Sequence, residues 1–212
     1  MNALVELLER EGVLRSPMVR DAFSRVDRKD FVPRDFLIRA YDDVALPIGA
    51  GQTISQPYTV AFMLEHLAVK RGDHVMDVGH GSGWQSALLA HIVGERGAVY
   101  AIELVPELCQ LGKANASKYP ELQERITFYC QNAAPGLPEE AKRVGGFDAI
   151  IAAAEVPQVP EAWREQLKVG GRLVYPKGNS VFKEVKKDEG AFSKEEYHGF
   201  VFVPFIEPSN HR

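Results

Sequence analysis

Long apolar segments are absent from this chain of 212 residues, since no run approaches the roughly 20 residues that a membrane-spanning helix needs. Residues 1–10 are amphipathic and acidic, unlike a secretory signal peptide. These absences argue against a membrane-embedded or exported protein. We therefore expect a cytoplasmic protein that does not bind membranes.

Cysteine is also scarce, and the two that occur, Cys109 and Cys130, form neither a C-x-x-C pair nor a metal-ligand spacing with histidine. Because both lie in apolar surroundings, we expect them to behave as small buried hydrophobic residues. The six histidines are scattered, and none forms an i, i+4 pair with a carboxylate between. The sequence therefore predicts no metal site.

An excess of positive charge is missing as well, because the formal net charge is −4 and the basic residues are dispersed. The densest basic cluster, residues 183–187, is interrupted by Glu184, and a solvated strand edge explains it better than a binding patch. We expect no nucleic-acid partner. Hydrophobic residues make up 45% of the chain, which is typical of a globular protein with a full core. The length fits one α/β domain over residues 1–212.

The most informative segment that is present is a glycine turn between an apolar strand and a helix. The strand at 75–78 leads into glycines at positions 79, 81 and 83, and a helix is expected over 85–93. Such turns hold nucleotide-like cofactors in α/β folds. Glu103 ends the next apolar run about 20 residues later, where its carboxylate can accept hydrogen bonds from a ribose diol. The sequence thus predicts a nucleoside cofactor site.

The spacing of these glycines bears on which cofactor is bound. From Gly79 the pattern is G-x-G-x-G with Asp77 just before it, whereas dinucleotide enzymes use G-x-G-x-x-G to seat a pyrophosphate. The form D-x-G-x-G-x-G resembles the first motif of class I S-adenosylmethionine-dependent methyltransferases, whose cofactor has no phosphate. A glycine-rich turn without a ligand stays an alternative at this point.

Strands alternate with helices along the central part of the chain, which predicts an α/β fold with a doubly wound, mostly parallel, Rossmann-like sheet. Strands are expected at 75–78, 98–102, 126–130, 148–152 and 172–175. Helices are expected at 57–68, 85–93, 106–118 and 160–167. Near the C-terminus, residues 180–185 and 197–205 resemble two strands joined without a helix, so we expect an antiparallel pair that closes the sheet.

The first 50 residues are expected to form a helical layer rather than an independent domain. Apolar residues at 4, 5, 7 and 8 define one helix, and a second begins at Pro17 with Ser16 as its N-cap. Residues 30–48 are expected to be irregular, with a short helix near 36–41. The cofactor-binding core is assigned to 51–178 and the C-terminal strands to 179–212.

A second block, Gly51-Gln-Thr-Ile-Ser-Gln-Pro-Tyr-Thr-Val-Ala61, lies upstream of the glycine turn. From local physics it is a loop that enters a helix, and capping of that helix would by itself explain Ser55. The block strongly resembles the signature of protein-L-isoaspartate O-methyltransferases. Segments 26–33, 77–87, 147–157 and 166–176 resemble further blocks of that family, in the same order and with familiar spacing.

The resemblance implies a repair reaction in which a methyl group passes from S-adenosyl-L-methionine to the free carboxylate of L-isoaspartyl residues in damaged proteins and peptides. The ester then closes to a succinimide, whose hydrolysis returns some normal aspartate. A carboxylate is already nucleophilic near neutral pH, so the main task is in-line placement of its oxygen. The implied partners are isoaspartyl-containing proteins and peptides, and a monomer is expected.

The resemblance also assigns roles to individual residues. Ser55 is the implied catalytic hydroxyl that orients the substrate carboxylate, with Gln56 and Tyr58 as further substrate-binding residues. An ordinary helix aromatic explains Tyr58 equally well, and Ser82 is more readily a helix cap than a ligand contact. The expected cofactor-binding residues are Gln52, Thr53, Ile54, Asp77, Gly79, His80, Gly81, Ser82, Gly83, Glu103, Leu104, Asn132 and Ala133.

Several departures from the family pattern are visible. Where the family has Gly-Asp-Gly, this chain has Gln131-Asn-Ala, and Asn132 offers an uncharged carbonyl acceptor to the adenine amino group. His80 stands where Thr or Ser is common, and its side chain is expected to face solvent. Segment 141–146 is a few residues longer than in the family. Past Gly178, residues 179–183 replace a glycine- and glutamine-containing loop that helps to close over the site.

Two alternatives stay open at this stage. The altered C-terminal loop is compatible with a methyltransferase that acts on normal aspartate in a dedicated peptide partner. The loss of Gly-Asp-Gly is compatible with a non-catalytic cofactor-binding protein, although Ser55 and Glu103 argue against that interpretation.

Overall fold

The computed structural model describes residues 1–206, in which helices surround a large sheet and a small hairpin. The strands are β1 (Leu46–Gly49), β2 (Gln52–Ile54), β3 (His74–Val78), β4 (Ala98–Glu103), β5 (Ile126–Cys130), β6 (Phe147–Ala152), β7 (Leu167–Lys177), β8 (Ser180–Asp188) and β9 (Ala191–His198). The α-helices are α1 (Asn2–Arg10), α2 (Pro17–Arg25), α3 (Pro57–Leu67), α4 (Trp84–Val93), α5 (Pro106–Ala116), α6 (Pro120–Gln123), α7 (Pro138–Val144) and α8 (Glu161–Glu165). Two 3₁₀-helices span Arg28–Phe31 and Arg34–Arg39.

The large sheet has the strand order β5-β4-β3-β6-β7-β8-β9. The strands from β5 to β7 are parallel, whereas β8 and β9 pair antiparallel. The chain runs outward from β3 through β4 to β5 and then returns to the other side of β3. Such a switch point leaves a crevice at the carboxyl ends of the central strands. This architecture confirms the predicted doubly wound, mostly parallel α/β fold with antiparallel C-terminal strands.

Both faces of the parallel strands are buried, because successive side chains point into two separate apolar layers. On β3, Val75 belongs to a cluster with residues of α1 to α5, whereas Met76 and Val78 belong to a second cluster with residues of α7 and α8. The N-terminal helices therefore share a core with the sheet.

Local signals in the sequence explain where the main helices begin. The Ser16 hydroxyl accepts a hydrogen bond from the Val19 amide at 3.4 Å, and Pro17 occupies the first position of α2. Pro57 and Pro106 begin α3 and α5 in the same way. These prolines are why the helices predicted over 57–68 and 106–118 agree with α3 and α5. The helix predicted over 85–93 agrees with α4, which follows Gly83 and has neither a proline nor a side-chain cap at its start.

The last strand is not where the sequence suggested. The prediction of a strand over 197–205 is wrong, because the partner of β8 is β9, with Lys183 opposite Glu195. β9 is a mostly exposed edge strand whose charged residues hide the alternating pattern, and such charges are common on sheet edges. Gly199 ends the strand with a φ of 97°. The apolar residues that follow leave the sheet as a C-terminal tail, residues 199–206.

The segment expected to be a loop before α3 forms a hairpin. β1 and β2 pair antiparallel, with Leu46 opposite Ile54. Ala50 and Gly51, at the turn, both have positive φ, 49° and 69°, as the preferred two-residue hairpin turn requires. The sequence did not reveal this turn because alanine rarely adopts positive φ.

The interpretation of the two cysteines is also wrong. Cys109 in α5 and Cys130 at the end of β5 form a disulfide, with Cα atoms 5.7 Å apart. Cys109 is half-buried and Cys130 is exposed, so neither is a core residue. The pairing depends on the packing of α5 beside the edge strand, which a spacing of 21 residues does not reveal.

Among residues 1–206, no helix has the length and apolar sequence that a membrane crossing requires.

Candidate active site

A cleft of about 800 Å³ lies at the carboxyl ends of β3, β4 and β6, at the switch point of the sheet. Its walls are the glycine turn after β3, the end of β4, the strand β2 with the residues after it, and the C-terminal tail. This volume includes space that is open to solvent. Within residues 1–206, no lysine or arginine lines the cleft, and its one carboxylate is that of Glu103.

The glycine turn is fixed by backbone hydrogen bonds to β4. The amides of Gly79 and His80 both donate to the carbonyl of Ile102, at 2.8 and 3.2 Å. Gly83 precedes α4 with a φ of 83°, and a Cβ atom there would lie 2.7 Å from the carbonyl oxygen of Gly112. Glycine is therefore required at position 83 both by the backbone conformation and by the close approach of α5.

Asp77 ties the two ends of the glycine turn together. Its buried carboxylate, at the end of β3, accepts hydrogen bonds from Gln85 Nε2 at 2.8 Å and Ser86 Oγ at 2.6 Å, both on the first turn of α4. Burial raises the pKa of Asp77 to about 6, and the charge of Glu103 adds to the rise, while the two hydrogen bonds act against it. Asp77 therefore supports the turn from behind the cleft wall.

Glu103 links the glycine turn to the start of α5. One carboxylate oxygen accepts a hydrogen bond from the Gly81 amide at 3.0 Å, and the other accepts from the amides of Leu104 and Val105 at 2.8 and 3.0 Å. Because an ionised carboxylate has about four acceptor positions, Glu103 retains the capacity to accept a hydrogen bond from a ligand hydroxyl. Its place on the cleft wall is where a ribose would be recognised.

Ser55 lies between β2 and α3 and lines the cleft. The N-cap residue of α3 is Gln56, and Asp43 from a distant loop accepts the hydrogen bond of the Tyr58 amide, at 2.7 Å. The Ser55 hydroxyl makes no hydrogen bond with any of residues 1–206. Capping of α3 therefore does not account for Ser55, which lines the same cleft as the glycine turn.

Comparison with known proteins identifies the family. The family model described as Protein-L-isoaspartate(D-aspartate) O-methyltransferase matches residues 1–210 of the chain. The chain belongs to this family. A protein-L-isoaspartate O-methyltransferase of Flavobacterium psychrophilum is 42% identical over 212 residues, covering 99% of this chain and 95% of that protein. One from Pyrococcus abyssi is 40% identical over 207 residues, covering 95% of this chain and 92% of that protein.

A solved structure agrees with the sequence comparison. A Plasmodium falciparum protein described as a protein-L-isoaspartate O-methyltransferase, in complex with S-adenosyl-L-homocysteine, matches with a TM-score of 0.85 and 27% identity. The match covers 95% of this chain and 96% of that chain. The family predicted from the five sequence blocks, and with it the methyltransferase class, is confirmed.

Within this isoaspartate methyltransferase fold, His80 is buried, and the expectation that its side chain faces solvent is wrong. The side chain is 4% exposed, and its ring packs edge-on against Phe128 with the centroids 5.1 Å apart. Burial lowers the pKa of His80 to about 4, so the imidazole is neutral near neutral pH. Gly112 makes the room, since a Cβ atom there would lie 2.5 Å from His80 Nδ1. A glycine inside α5 is the sequence signal for this packing.

The loop that replaces the family's Gly-Asp-Gly is held by its own side chain and by α8. Asn132 Oδ1 accepts a hydrogen bond from the Ala134 amide at 2.9 Å, while Ala133 lines the cleft. Trp163 Nε1 donates to the carbonyl of Ala133 at 2.8 Å. Trp163 is thus a supporting residue that sequence reasoning missed, and an isolated Trp carries no local signal of such a role. A bond from Asn132 to adenine stays a prediction.

The C-terminal tail closes one side of the cleft. The Glu155 amide donates to the carbonyl of Val203 and the Phe205 amide donates to the carbonyl of Glu155, both at 2.8 Å. The ring of Phe205 also packs edge-on against Trp163, with centroids 6.0 Å apart. Residues 179–183, which replace the family's closing loop, form a turn and the start of β8 and do not line the cleft. The tail was missed because its apolar run resembles a strand.

Most of the expected site residues meet at the cleft. Asp77, Gly83 and Asn132 do not line it. Within residues 1–206, no group of three or more His, Cys, Asp or Glu side chains is arranged to hold a metal ion. Gln56 and Tyr58 line a neighbouring groove with residues 198–201. Ser82 lines the cleft, and its hydroxyl also accepts a hydrogen bond from the Trp84 amide at 3.3 Å. The expected residues at the cleft are Gln52, Thr53, Ile54, Ser55, Gly79, His80, Gly81, Ser82, Glu103, Leu104 and Ala133.

Proposed function

We propose that this protein transfers a methyl group from S-adenosyl-L-methionine to the free carboxylate of L-isoaspartyl residues in damaged proteins and peptides. The observation that carries the proposal is that Ser55 and the glycine turn line the same cleft. Membership of the protein-L-isoaspartate O-methyltransferase family supports the same reaction.

The residues of the cleft suit this cofactor better than a dinucleotide. A dinucleotide pyrophosphate is normally seated on a G-x-G-x-x-G turn at a helix N-terminus, whereas the turn here has the spacing G-x-G-x-G with Asp77 before it. S-adenosyl-L-methionine has no phosphate and carries a positive sulfonium, which a wall with the carboxylate of Glu103 tolerates. Glu103 would hold the ribose hydroxyls, Leu104 and Ala133 would contact the adenine, and Gly79 and Gly81 would admit the methionine part. The cofactor supplies an activated methyl group.

The substrate side of the cleft needs to orient a carboxylate and to exclude water. Ser55 would donate its hydroxyl hydrogen to one carboxylate oxygen, which leaves the other oxygen free to attack. The isoaspartyl carboxylate is ionised near neutral pH, so no general base is required. Thr53 and Ile54 from β2 would border both ligands, and the apolar tail residues Val203 and Phe205 would limit water access.

Peptide flanking the reactive residue would follow the groove beside the cleft. That groove is lined by Gln56 and Tyr58 on one side and by residues 198–201 of β9 and the tail on the other. The tail therefore takes the place expected of the 179–183 loop in contacting substrate. This arrangement supports roles for Gln56 and Tyr58 in peptide binding.

A paired-peptide assay tests the proposal. The protein is incubated with methyl-labelled S-adenosyl-L-methionine and two synthetic peptides that differ only in having isoaspartate or aspartate at one position. We expect base-labile methyl ester on the isoaspartyl peptide and background on the aspartyl peptide. Equal labelling of both peptides, or none, would reject the proposal. Preferential labelling of the aspartyl peptide would instead support an enzyme for normal aspartate.

We further propose that residues 1–212 form one domain that acts as a cytoplasmic monomer without a nucleic-acid or membrane partner. The shared core of the N-terminal helices and the sheet supports one domain. The disulfide between Cys109 and Cys130 argues against the cytoplasmic part of this proposal, because a reducing cytoplasm disfavours such bonds. Cell fractionation and light scattering of the purified protein test location and oligomeric state.

A further inference from the structure

Arg28 is a fully buried cation that lies behind Ser55. Its guanidinium group donates hydrogen bonds to four backbone carbonyls, through Nη1 to Ala40 at 2.8 Å and Asp42 at 3.2 Å, and through Nη2 to Val44 at 2.8 Å and Ser55 at 3.1 Å. Three of these carbonyls belong to the loop before β1. The fourth belongs to Ser55, which lines the cleft, so Arg28 fixes the backbone of Ser55 directly.

The same guanidinium group also contacts the cofactor side of the cleft. Its central carbon lies 5.4 Å from the centroid of the Trp84 ring, in a cation–π arrangement. Trp84 is the first residue of α4 after the glycine turn, and it lines the cleft. Arg28 therefore touches both walls of the site, although within residues 1–206 it does not line the cleft itself.

The charge of Arg28 is retained at neutral pH. Burial lowers the pKa of Arg28 to about 10, and the carboxylates of Asp43 and Asp42 act against that fall. Asp43 in turn accepts hydrogen bonds from the Tyr58 amide at 2.7 Å and from Gln56 Nε2 at 2.8 Å. The segment from Ser55 to Tyr58 is thus held by the guanidinium group of Arg28 and by the carboxylate of Asp43.

We propose that Arg28 is a positioning residue for methyl transfer. It holds the Ser55 hydroxyl at a fixed distance from the glycine turn, by bonding to the Ser55 carbonyl while packing on Trp84. The inference rests on the proposed function, since it assigns Arg28 a role in that reaction through Ser55. If Arg28 only stabilised the loop before β1, its hydrogen bonds to the carbonyls of residues 40, 42 and 44 would be enough. That role does not explain the hydrogen bond from Arg28 to the carbonyl of Ser55.

The test is a double-mutant cycle between Arg28→Lys and Ser55→Ala. Lysine keeps the charge but lacks the planar fork that reaches four carbonyls, so Ser55 loses its fixed orientation. We expect Arg28→Lys to lower kcat for the isoaspartyl peptide about tenfold to a hundredfold, as small misplacements in an active site do. The Kd of S-adenosyl-L-homocysteine should stay within about threefold of the wild-type value, because the glycine turn and Glu103 are intact. In the Ser55→Ala background the same change should lower kcat less than about twofold, because the hydroxyl that it misplaces is gone.

Arg172 provides the matched control. It caps the other end of α3, with Nε donating to the carbonyl of Leu67 at 3.0 Å and Nη2 to that of Ala68 at 2.9 Å. Arg172→Lys therefore removes comparable bonds to the same helix far from the cleft. We expect it to lower the melting temperature while leaving kcat near the wild-type value.

The outcomes separate the two proposals. Suppose that the wild-type protein methylates the isoaspartyl peptide. If Arg28→Lys then lowers kcat by the same factor in the wild-type and Ser55→Ala backgrounds, or leaves kcat unchanged, the positioning role is wrong and the proposed function stands. If the wild type does not methylate the isoaspartyl peptide, the proposed function itself fails. If Arg28→Lys does not fold, Trp84→Phe replaces it in the same cycle, because phenylalanine weakens the cation–π contact with Arg28. We again expect a smaller fall in kcat in the Ser55→Ala background than in the wild type. An equal fall in both backgrounds would overturn the inference.

Discussion

The carboxylate of Glu103 accepts a hydrogen bond from the backbone amide of Gly81, at 3.0 Å. This contact joins the end of β4 to the glycine turn that follows β3, so the residue expected to bind ribose also sets the shape of the turn. Both walls of the proposed cofactor site therefore depend on one side chain. Cofactor affinity should be sensitive to Glu103 for two reasons at once.

Glu103→Ala should raise the Kd of S-adenosyl-L-homocysteine by about tenfold to a hundredfold, because charge-assisted hydrogen bonds to the ribose and to Gly81 are lost together. Isothermal titration calorimetry measures this value. Glu107→Ala, in the exposed first turn of α5, is the control and should leave the Kd unchanged. An unchanged Kd for Glu103→Ala would remove Glu103 from the cofactor site.

Ser55 and Ser16 should respond in opposite ways to replacement by alanine. Ser16 caps α2, so Ser16→Ala should lower the free energy of unfolding by about 1 kcal/mol and leave kcat unchanged. Ser55 does not cap α3, so Ser55→Ala should lower kcat by about tenfold or more with little change in stability or in the Kd of S-adenosyl-L-homocysteine. Urea unfolding of both variants gives the change in the free energy of unfolding, and methyl-transfer kinetics give the change in kcat. Loss of stability without loss of kcat in Ser55→Ala would show a structural serine.

His80 should make the protein sensitive to acid. Its pKa is about 4 in the folded protein, below the ordinary value of about 6.5 in the unfolded chain. Between these values the unfolded chain binds the extra proton, so stability falls as the pH falls from about 6.5 to 4. His80→Ser should abolish this part of the loss, about 2 kcal/mol between pH 7.5 and 4.5.

The measurement for His80 is urea unfolding of wild type and His80→Ser at both pH values. Asp77 contributes with the opposite sign, because its raised pKa of about 6 makes stability fall as the pH rises from about 4 to 6. That contribution is common to both proteins and cancels in the comparison. His198→Ser, at an exposed position, should behave like the wild type. Identical acid sensitivity of His80→Ser and wild type would contradict a buried neutral imidazole.

The disulfide should stabilise the edge of the sheet next to the cofactor site. Closing a loop with a sequence separation of 21 residues contributes about 3 kcal/mol in the chain-entropy model. A reductant should therefore lower the melting temperature of the wild type and leave that of a Cys109→Ser, Cys130→Ser double variant unchanged. Alkylation of the denatured, unreduced protein should find no free thiol by mass spectrometry. Two alkylated cysteines would show that the bond does not form in solution.

The sequence was most informative where one local feature determines the structure. Ser16 and Pro17 predicted the start of α2. The glycines from 79 to 83 predicted a turn, and in the structure the backbone amides of this turn donate hydrogen bonds to β4. These features act within a few residues, so their signals survive without knowledge of the fold.

The features that were missed depend on contacts between distant segments. The Cys109–Cys130 bond, the burial of His80 over Gly112, and the four carbonyls held by Arg28 each require the packed sheet and helices before they can be recognised. β9 was misplaced for a related reason, because an exposed edge strand is stabilised by pairing with β8 rather than by its own apolar pattern.

The most direct test of the account is a crystal structure of the protein with S-adenosyl-L-homocysteine and an isoaspartyl peptide. We predict that the isoaspartyl carboxylate lies within hydrogen-bond distance of the Ser55 hydroxyl, with its second oxygen facing the sulfur atom, and that Glu103 contacts the ribose. A carboxylate bound elsewhere, or a Ser55 hydroxyl turned away from the cleft, would contradict the account.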